Sequence, residues 1–296
     1  MVGGVGSFGA AKEAEFAGQS VLNVLWHLHT LGFDPLLITR VGSDTAGRRI
    51  VRQLEDTGID TVGVQVDDSL PTRGSKTPEE SGEPCCAWAA LDSRQAAVVL
   101  HETAPALLFH GIASTYNECI QNALNTITSR IAVPYFVDID LTRRTALART
   151  VRRALLGVKW IKVDAGHLRE LLGDFEATEF QSTVNEALTV QARFAFDAII
   201  VERLGMPILG IWPDKVIRGL VSPPDDPTCL PGGRDAATAV LIVGLLCGWQ
   251  EQVIIERAAQ FAFLAGTERR ARDIDRMVYS SVLDRWFASH SNAAGS

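Results

Sequence analysis

The chain has 296 residues, of which 47% are hydrophobic and 21% charged, and these values exclude intrinsic disorder over most of its length. The formal net charge of −7 argues against a nucleic-acid-binding protein, because such proteins present a basic surface to phosphates. The longest uncharged run, 236–250, is too short to cross a membrane, and no secretory signal pattern opens the chain. Five unpatterned cysteines fit a reducing compartment. We therefore expect a cytoplasmic protein without nucleic-acid or membrane partners.

Short apolar runs alternate with amphipathic stretches along the chain. Strands are predicted at 35–41, 133–138, 160–163 and 197–202, and helices at 44–57, 145–156, 166–172 and 183–195. The first of these helices has Ser43 or Asp44 as its expected N-cap and Ile50, Val51 and Leu54 on one face. This alternation predicts an α/β fold with a doubly wound parallel sheet and helices on both faces. Ligands of such folds bind beyond the carboxyl ends of the strands.

The remaining segments follow other patterns. Residues 67–84 hold prolines and glycines among polar residues and are predicted to form a surface loop. Two strands are predicted after this loop, at 85–91 and 96–101, joined by a short turn. Residues 251–287 are predicted to be helical and 289–296 to be a flexible tail. We expect all 296 residues to belong to a single domain.

Some patterns fail as functional motifs. Gly4–Gly9 fits Gly-x-Gly-x-x-Gly, but a dinucleotide site needs a preceding strand and a later acidic residue, so a flexible amino terminus is the alternative. His27 and His29 are two positions apart in a helical pattern and do not share a face, which argues against zinc binding. Cys85 and Cys86, adjacent in a predicted strand, favour buried structural thiols over a redox pair.

A glycine-rich turn offers better chemistry. Residues 231–235 read Pro-Gly-Gly-Arg-Asp and directly precede an apolar helix predicted at 236–246. The unpaired amides of Gly232 and Gly233, together with the helix dipole, can bind an anion. A carboxylate beside them, Asp235, can take a proton from an attacking hydroxyl, and this layout suits phosphoryl transfer to an alcohol. The alternative is a plain loop that ends in a capping aspartate.

A series of short motifs is spread in order along most of the chain. These motifs are residues 18–23 (Gly-Gln-Ser-Val-Leu-Asn), 40–47 (Arg-Val-Gly-Ser-Asp-x-x-Gly), 57–61 (Thr-Gly-Ile-Asp-Thr), 136–143 (Phe-Val-Asp-x-Asp-x-x-Arg), 161–167 (Ile-Lys-Val-Asp-x-x-His) and 230–235 (Leu-Pro-Gly-Gly-Arg-Asp). Together they resemble the PfkB/ribokinase family of carbohydrate kinases. Cys85-Cys86 and residues 99–103 look most similar to the ketohexokinases of that family. The resemblance implies a ribokinase-like fold with a β lid. The strands predicted within 85–102 would lie either near this lid or at an edge of the sheet.

The same resemblance implies a chemistry. It implies phosphorylation of a sugar hydroxyl, first of a ketose such as fructose, with ATP and Mg²⁺ and optionally K⁺ as cofactors. Asp235 would be the general base, and the anion hole would consist of Gly232, Gly233 and Arg234. Arg234 departs from the family, which has a glycine at that position, although a guanidinium can itself meet a phosphate.

The sugar would be contacted by three residues, namely Gly18, Asn23 and Asp44. For two of them a simpler role stays open, because Asn23 can bond within its helix and Asp44 can be a helix cap. Asp138, in a neighbouring motif, can likewise merely end its strand. Gly18 lies earlier in this chain than the matching family motif does. The early aspartate that binds sugar therefore has no counterpart, and the lid is expected to be reduced.

The nucleotide and Mg²⁺ would lie near Asp164, His167 and Glu202, and no residue is expected to bind metal directly. Asp164 and His167 replace an asparagine and a glutamate of the family, and histidine is a poor partner for a hard cation. Glu202 stands where the family has a threonine and would place a negative charge where the base and phosphates of the nucleotide approach. These departures leave open an alternative, a family member that binds a sugar or nucleotide without turnover. A homodimer is a further expectation. Family members often dimerise through the lid, so a reduced lid argues against that same dimer. An oligomer-forming structural protein is the third alternative.

Overall fold

The computed structural model describes residues 2–5, 19–72, 87–111, 118–139, 155, 157–168, 171, 183–202, 207–219, 231–266 and 274–291. The strands are β1 (Val2–Val5), β2 (Pro35–Gly42), β3 (Val64–Asp67), β4 (Leu107–His110), β5 (Tyr135–Ile139), β6 (Trp160–Asp164), β7 (Ala198–Glu202), β8 (Leu209–Ile211) and β9 (Val216–Arg218). The helices are α1 (Gln19–Thr30), α2 (Thr45–Thr57), α3 (Ser93–Thr103), α4 (Glu118–Thr128), α5 (Thr183–Phe194), α6 (Pro231–Leu246), α7 (Glu251–Gly266) and α8 (Arg276–Ser291). Among these described residues, no helix combines the length and hydropathy needed to cross a membrane.

These strands form one sheet in the order β3-β2-β1-β4-β5-β6-β7-β8-β9. Strands β1 to β7 pair in parallel, and β8 and β9 add an antiparallel edge. The chain first winds outward from β1 to β3 and then returns to place β4 on the other side of β1. This reversal is the switch point of a doubly wound sheet, beyond whose carboxyl ends ligands bind.

Alternate residues of each central strand enter two different apolar cores. In β5, Phe136 belongs to the core shared with α1, α2, α6, α7 and α8, whereas Val137 belongs to the core shared with α3, α4 and α5. In β7, Ile200 and Val201 divide in the same way. Because both faces are covered, the strands read as continuous apolar runs. The predicted α/β architecture with helices on both faces is confirmed.

Local sequence explains most predicted elements. Helix α2 starts after Asp44, whose carboxylate accepts a hydrogen bond from the amide of Gly47, and ends at Gly58, which has a φ of 76°. Ile50 and Leu54 are buried on its inner face. The strands predicted at 35–41, 133–138, 160–163 and 197–202 and the helix predicted at 183–195 are present with shifts of one or two residues. The helix predicted at 145–156 falls almost wholly outside the described residues.

The prediction of two strands at 85–91 and 96–101 is wrong where the structure describes them. Residues Ala87–Ala90 form a 3-10 turn, and α3 occupies Ser93–Thr103. The carboxylate of Asp92 accepts hydrogen bonds from the amides of Arg94 and Gln95, which starts a helix. The buried residues of α3, which are Ala96, Ala97 and Leu100, follow helical spacing. Cys85 and Cys86 lie outside the described residues.

The amino terminus also differs from its expected flexibility. Val2–Val5 form the central strand β1, paired with β2 on one side and β4 on the other. Two flanking parallel strands supply partners for a glycine-rich segment whose own strand propensity is low. The described residues contain no second sheet, and segment 6–18, where a lid strand would begin, lies outside them. The reduced lid stays a prediction.

Two boundaries need correction. Asp67 ends strand β3, so the predicted loop at 67–84 starts one residue later, and Thr72 within it is buried. Residues 73–86 lie outside the described residues. Helix α8 continues to Ser291, so residues 289–291 of the expected flexible tail are helical instead, and 292–296 lie outside the described residues.

Candidate active site

Helix α6 begins earlier than its apolar pattern predicts. It starts at Pro231, whose fixed φ suits the first helical position, so Gly232 and Gly233 lie within its first turn. Asp235 therefore stands just after the first turn, not at the start of the helix. Arg234 does not adopt a positive φ, so the glycine that the family has at this position is not required by the backbone.

Gly233 has a packing role beyond any anion site. A Cβ built on it would lie 2.8 Å from the carbonyl oxygen of Ala262 in α7. Glycine therefore lets the start of α6 approach α7 closely. This close contact is sufficient reason for a glycine at position 233, so Gly233 is not by itself evidence of an anion site.

The carboxylate of Asp235 is the centre of the site. Its side chain is buried, with the residue 5% exposed. The hydroxyl of Ser20 donates a 2.6 Å hydrogen bond to Oδ1, and the amide of Asn23 donates a 2.7 Å hydrogen bond to Oδ2. Asn23, predicted from the sequence to contact a sugar, thus contacts the predicted base. Ser20 was not singled out from the sequence, although its spacing of three from Asn23 in a helix would place both on one face.

Burial sets the ionisation of this carboxyl group. Loss of water raises the pKa of Asp235 to about 6, and the negative charge of Asp138 acts in the same direction. The hydrogen bonds from Ser20 and Asn23 and the positive charge of Lys162 act against this rise. The result is a carboxylate that is ionised at neutral pH and more basic than an exposed aspartate.

A buried ion network lies beneath α6 on three adjacent strands. Lys162 of β6 places Nζ 2.8 Å from Oδ2 of Asp138 in β5 and 3.0 Å from Oε2 of Glu202 in β7. Nζ also donates to the hydroxyl of Thr238 at 2.8 Å and to the carbonyl oxygen of Arg234 at 3.2 Å, which ties the network to α6. Although burial disfavours the charged ammonium, the two carboxylates raise the pKa of Lys162.

Glu202 and Arg234 complete this network. The Nε of Arg234 lies 3.1 Å from Oε2 of Glu202. The Glu202 side chain is 11% exposed and that of Arg234 is 37% exposed, so the pair runs from the core toward the surface. The two acids and two bases of the network balance in charge, which reduces the cost of burying them. The charge of Glu202 is therefore paired within the protein, and its place relative to a nucleotide stays a prediction.

Asp44 caps helix α2 and also binds Thr72. Besides the amide of Gly47, its carboxylate accepts hydrogen bonds from the hydroxyl of Thr72 at 2.6 Å and from the amide of Thr72 at 2.9 Å. Although desolvation opposes it, these bonds hold the pKa of Asp44 below its usual range. The simpler of the two interpretations of Asp44 thus accounts for its contacts, and a role in sugar binding stays a prediction.

Asp164 and His167 lie at the carboxyl end of β6. Oδ1 of Asp164 accepts a 2.8 Å hydrogen bond from the amide of Gly166 and starts the 3-10 turn Ala165–His167. Asp164 pairs in register with Glu202, so this turn borders the ion network. Within the described part of the chain, no three His, Cys, Asp or Glu side chains are grouped as a metal site. Gly18 lies outside the described residues.

Four of the predicted site residues come together in one cluster. They are Asn23, Glu202, Arg234 and Asp235. The cluster also contains three residues that the sequence analysis did not assign to the site, namely Ser20, Lys162 and Thr238. Lys162 could have been found from its own motif, because a lysine inside an otherwise apolar parallel strand must be paired when buried. Thr238 carries no such signal, since it lies in an apolar helix.

No protein-family model and no curated protein sequence matches the chain. Several solved protein structures, in contrast, do match it. An Escherichia coli protein assigned as ribokinase II, solved with ATP and Mg²⁺, has a TM-score of 0.72 at 14% identity over 96% of this chain and 99% of that one. Fructokinase of Xylella fastidiosa with bound ATP gives 0.72 at 14% identity over 96% and 98%. Nucleoside kinase of Burkholderia thailandensis with inosine gives 0.68 at 14% identity over 97% and 99%.

The structural similarity covers nearly the whole length of both chains in each comparison, but the sequence identities are low. It is therefore evidence for the arrangement of the strands and helices alone. Together with the doubly wound sheet and its two helical layers, they show that the chain has the ribokinase-like fold.

Proposed function

We propose that this protein transfers the γ-phosphoryl group of ATP to a hydroxyl of a sugar or sugar-like alcohol. The observation that carries the proposal is the environment of Asp235, a buried carboxylate just past the first turn of α6, held by Ser20 and Asn23. A base near its substrate's proton, beside a helix N-terminus, is what such a transfer requires.

The ionisation of Asp235 suits a general base. With a pKa of about 6, the carboxylate is charged at neutral pH and accepts a proton more readily than an exposed aspartate would. Its two oxygens together have about four lone-pair positions, so the bonds from Ser20 and Asn23 leave room for a substrate hydroxyl. Asp235 would take the hydroxyl proton as the oxygen attacks phosphorus.

The start of α6 fits a phosphate. The first amides of a helix have no acceptor within it, so those of Gly232 and Gly233 would be available to bind an anion. The side chain of Arg234, which is 37% exposed as a whole, would add a positive charge one residue before the base. ATP supplies the phosphoryl group when bound, and these groups would hold that phosphoryl while its charge develops.

The residues also fit Mg²⁺ in the manner usual for nucleotide sites. Mg²⁺ keeps several waters and is bound by one or two carboxylates together with phosphates. Asp164, at the carboxyl end of β6, would help to position the ion through its waters, with His167 beside it. K⁺ is a further candidate, for which the support is the family resemblance alone.

A ketose such as fructose is the first substrate to test. The support is the resemblance of short segments to ketohexokinases and the fold shared with a fructokinase. One neighbour is a nucleoside kinase solved with inosine, so nucleosides belong in the same screen. Dimerisation and a cytoplasmic location are parts of the same proposal.

A second candidate is a protein that binds a sugar or nucleotide without turnover. The contact between Arg234 and Glu202 favours it, because the protein itself supplies the anionic partner that a phosphate would otherwise provide. Both residues depart from the family pattern. A catalytically impaired member of the family would retain Asp235 within its fold and still bind ligand.

The test is ADP release with Mg²⁺-ATP and K⁺ across ketoses, aldoses and nucleosides. Asp235→Asn is the paired control, because it keeps the shape of the side chain and removes the basic oxygen. Sugar-dependent ADP release that falls at least ~10²-fold in the variant supports the kinase. No release above that of the variant, in folded protein that binds ATP or sugar by calorimetry, supports the second candidate and rejects the first.

A further inference from the structure

Two side chains of α1 hold the carboxylate of Asp235, and only one of them was anticipated. Ser20 and Asn23 are three positions apart, so they lie on one face of the helix. Each donates to a different oxygen, Ser20 to Oδ1 and Asn23 to Oδ2. The carboxylate is therefore fixed at both oxygens, which sets the direction in which its free lone pairs point.

We propose that Ser20 is a positioning residue for the base: its hydroxyl fixes Oδ1 of Asp235 and favours the charged form of that carboxylate. The inference rests on the proposed function for its catalytic meaning. Its physical content, that one hydroxyl orients and stabilises a buried carboxylate, is independent of the reaction.

The helix that carries Ser20 is itself firmly held. Val24, Leu25 and Leu28 of α1 are fully buried in the core shared with α6. One turn after Asn23, Nδ1 of His27 lies 2.8 Å from the hydroxyl of Tyr279 in α8. Ser20 thus projects from a rigid element toward another rigid element, which is the arrangement that keeps a catalytic group in one orientation.

The direction of the effect follows from elementary electrostatics. A hydroxyl that donates to a carboxylate stabilises the charged form, whereas burial of the carboxylate destabilises it. The 2.6 Å bond from Ser20 is in the range of strong bonds to a charged oxygen. Without this donor, Oδ1 would lose a partner in a buried site, and protonation of Asp235 would become easier.

Asn23 cannot do this alone, because it reaches only Oδ2. Lys162 does not replace Ser20 either, since the hydrogen bonds of its ammonium group go to Asp138, Thr238 and the carbonyl oxygen of Arg234. Within the described part of the chain, the side-chain donor to Oδ1 is the hydroxyl of Ser20. A change at residue 20 therefore acts on the base through one defined bond.

The first experiment measures this bond without any enzymatic reaction. The carboxyl carbon of Asp235 is followed by ¹³C NMR during a pH titration of the full chain, with its signal assigned by loss in Asp235→Asn. Ser20→Ala is expected to move the titration midpoint upward by about one pH unit. Ser20→Thr keeps the hydroxyl and is expected to leave the midpoint near that of the wild type.

A matched control is Ser280→Ala. Ser280 is exposed on α8, and its hydroxyl donates to the carbonyl oxygen of Arg276 in the same helix. It is expected to leave the Asp235 midpoint unchanged. An unmoved midpoint in folded Ser20→Ala overturns the proposal, as does an equal shift in Ser280→Ala.

The second experiment is the pH profile of kcat/KM for the acceptor. In Ser20→Ala the acid limb is expected to move upward with the NMR midpoint, so that the loss is about fivefold at pH 6 and small at pH 8.5. A loss that is equal at all pH values would show a merely structural role and overturn the proposal. If no acceptor is phosphorylated, the proposed function fails while the NMR titration still decides the role of Ser20.

Discussion

Arg234 and Glu202 form a direct ion pair, with Nε of the arginine 3.1 Å from Oε2 of the glutamate. Arg234 lies in the first turn of α6, the helix that carries the candidate base, and Glu202 ends the strand β7 beneath it. Each of the two differs from the residue that the PfkB/ribokinase family has at its position. Each substitution looks unfavourable when it is considered without the other. Together they cancel in charge, so the two departures make structural sense as a pair.

We expect the two partners to contribute unequally to stability. Glu202→Gln removes a buried charge that two cations face, and is expected to cost about 3 kcal/mol of unfolding free energy. Arg234→Ala removes a half-exposed partner, and solvent screening reduces its expected cost to about 1 kcal/mol. The double variant is expected to cost less than the sum. Urea unfolding of the four proteins measures this cycle, and strict additivity would contradict a direct pair.

The raised pKa of Asp235 predicts an opposite sign of pH dependence from that of most aspartates. In the folded state this carboxyl titrates near pH 6, against 3.8 as its ordinary value, so the native protein binds the proton more tightly. The stabilising contribution of protonation is complete below pH 3.8 and is lost as the pH rises through 6. Asparagine does not titrate. The stability of Asp235→Asn relative to the wild type should therefore rise by about 2 kcal/mol between pH 4 and pH 8.

Chemical denaturation at several pH values, on both proteins in the same buffers, measures this difference. Asp197→Asn is a suitable control because Asp197 is a half-exposed aspartate whose side chain pairs with Lys159 at the surface. The control should give a nearly flat difference over the same range. A flat curve for Asp235→Asn would show that the carboxyl titrates normally in the folded state.

The sequence predicts the sheet well because its signals are local. Apolar runs such as 160–163 and the cap at Asp44 need only neighbouring residues to be recognised. The segment 85–101 fails for the opposite reason. Short apolar runs do not distinguish a strand from a buried helix, and the cap at Asp92 decides the outcome.

The candidate site is less visible, because its contacts join distant parts of the chain. The bond from Ser20 to Asp235 spans 215 positions, and no local pattern announces it. The ion network has the same origin, since Asp138, Lys162 and Glu202 meet only when β5, β6 and β7 align. Motif resemblance located Asp235 and Asn23 individually, but their contact with each other depends on the packing of α1 against α6.

Gly233 is expected to be intolerant of a side chain for reasons of packing. Gly233→Ala would bring a Cβ to 2.8 Å from the backbone oxygen of Ala262, and backbone cannot move aside as a flexible side chain can. We expect a loss of about 2 kcal/mol in unfolding free energy. Gly266→Ala, at the end of α7, is the matched control because nothing lies within 4 Å of its added Cβ. Equal effects of the two substitutions in thermal unfolding would contradict the close approach of α6 and α7.

His27 is expected to make the protein sensitive to acid. It is fully buried, packs edge-on against Phe261 with ring centroids 5.7 Å apart, and pairs with the hydroxyl of Tyr279. Burial lowers the pKa of His27 from 6.5 to about 3. Because the unfolded chain binds this proton and the folded chain does not, the stability is complete above pH 6.5 and falls toward pH 3.

The expected loss from His27 is about 2 kcal/mol at pH 5. It is measured as the difference in unfolding free energy between pH 7.5 and pH 5. His27→Gln, which cannot be protonated, should lose most of this difference even if it is less stable throughout. His29→Gln, two positions along the same helix and half-buried, should retain it. If both variants keep the full acid sensitivity, the proton that drives it binds elsewhere, and the buried pair of His27 and Tyr279 has no part in it.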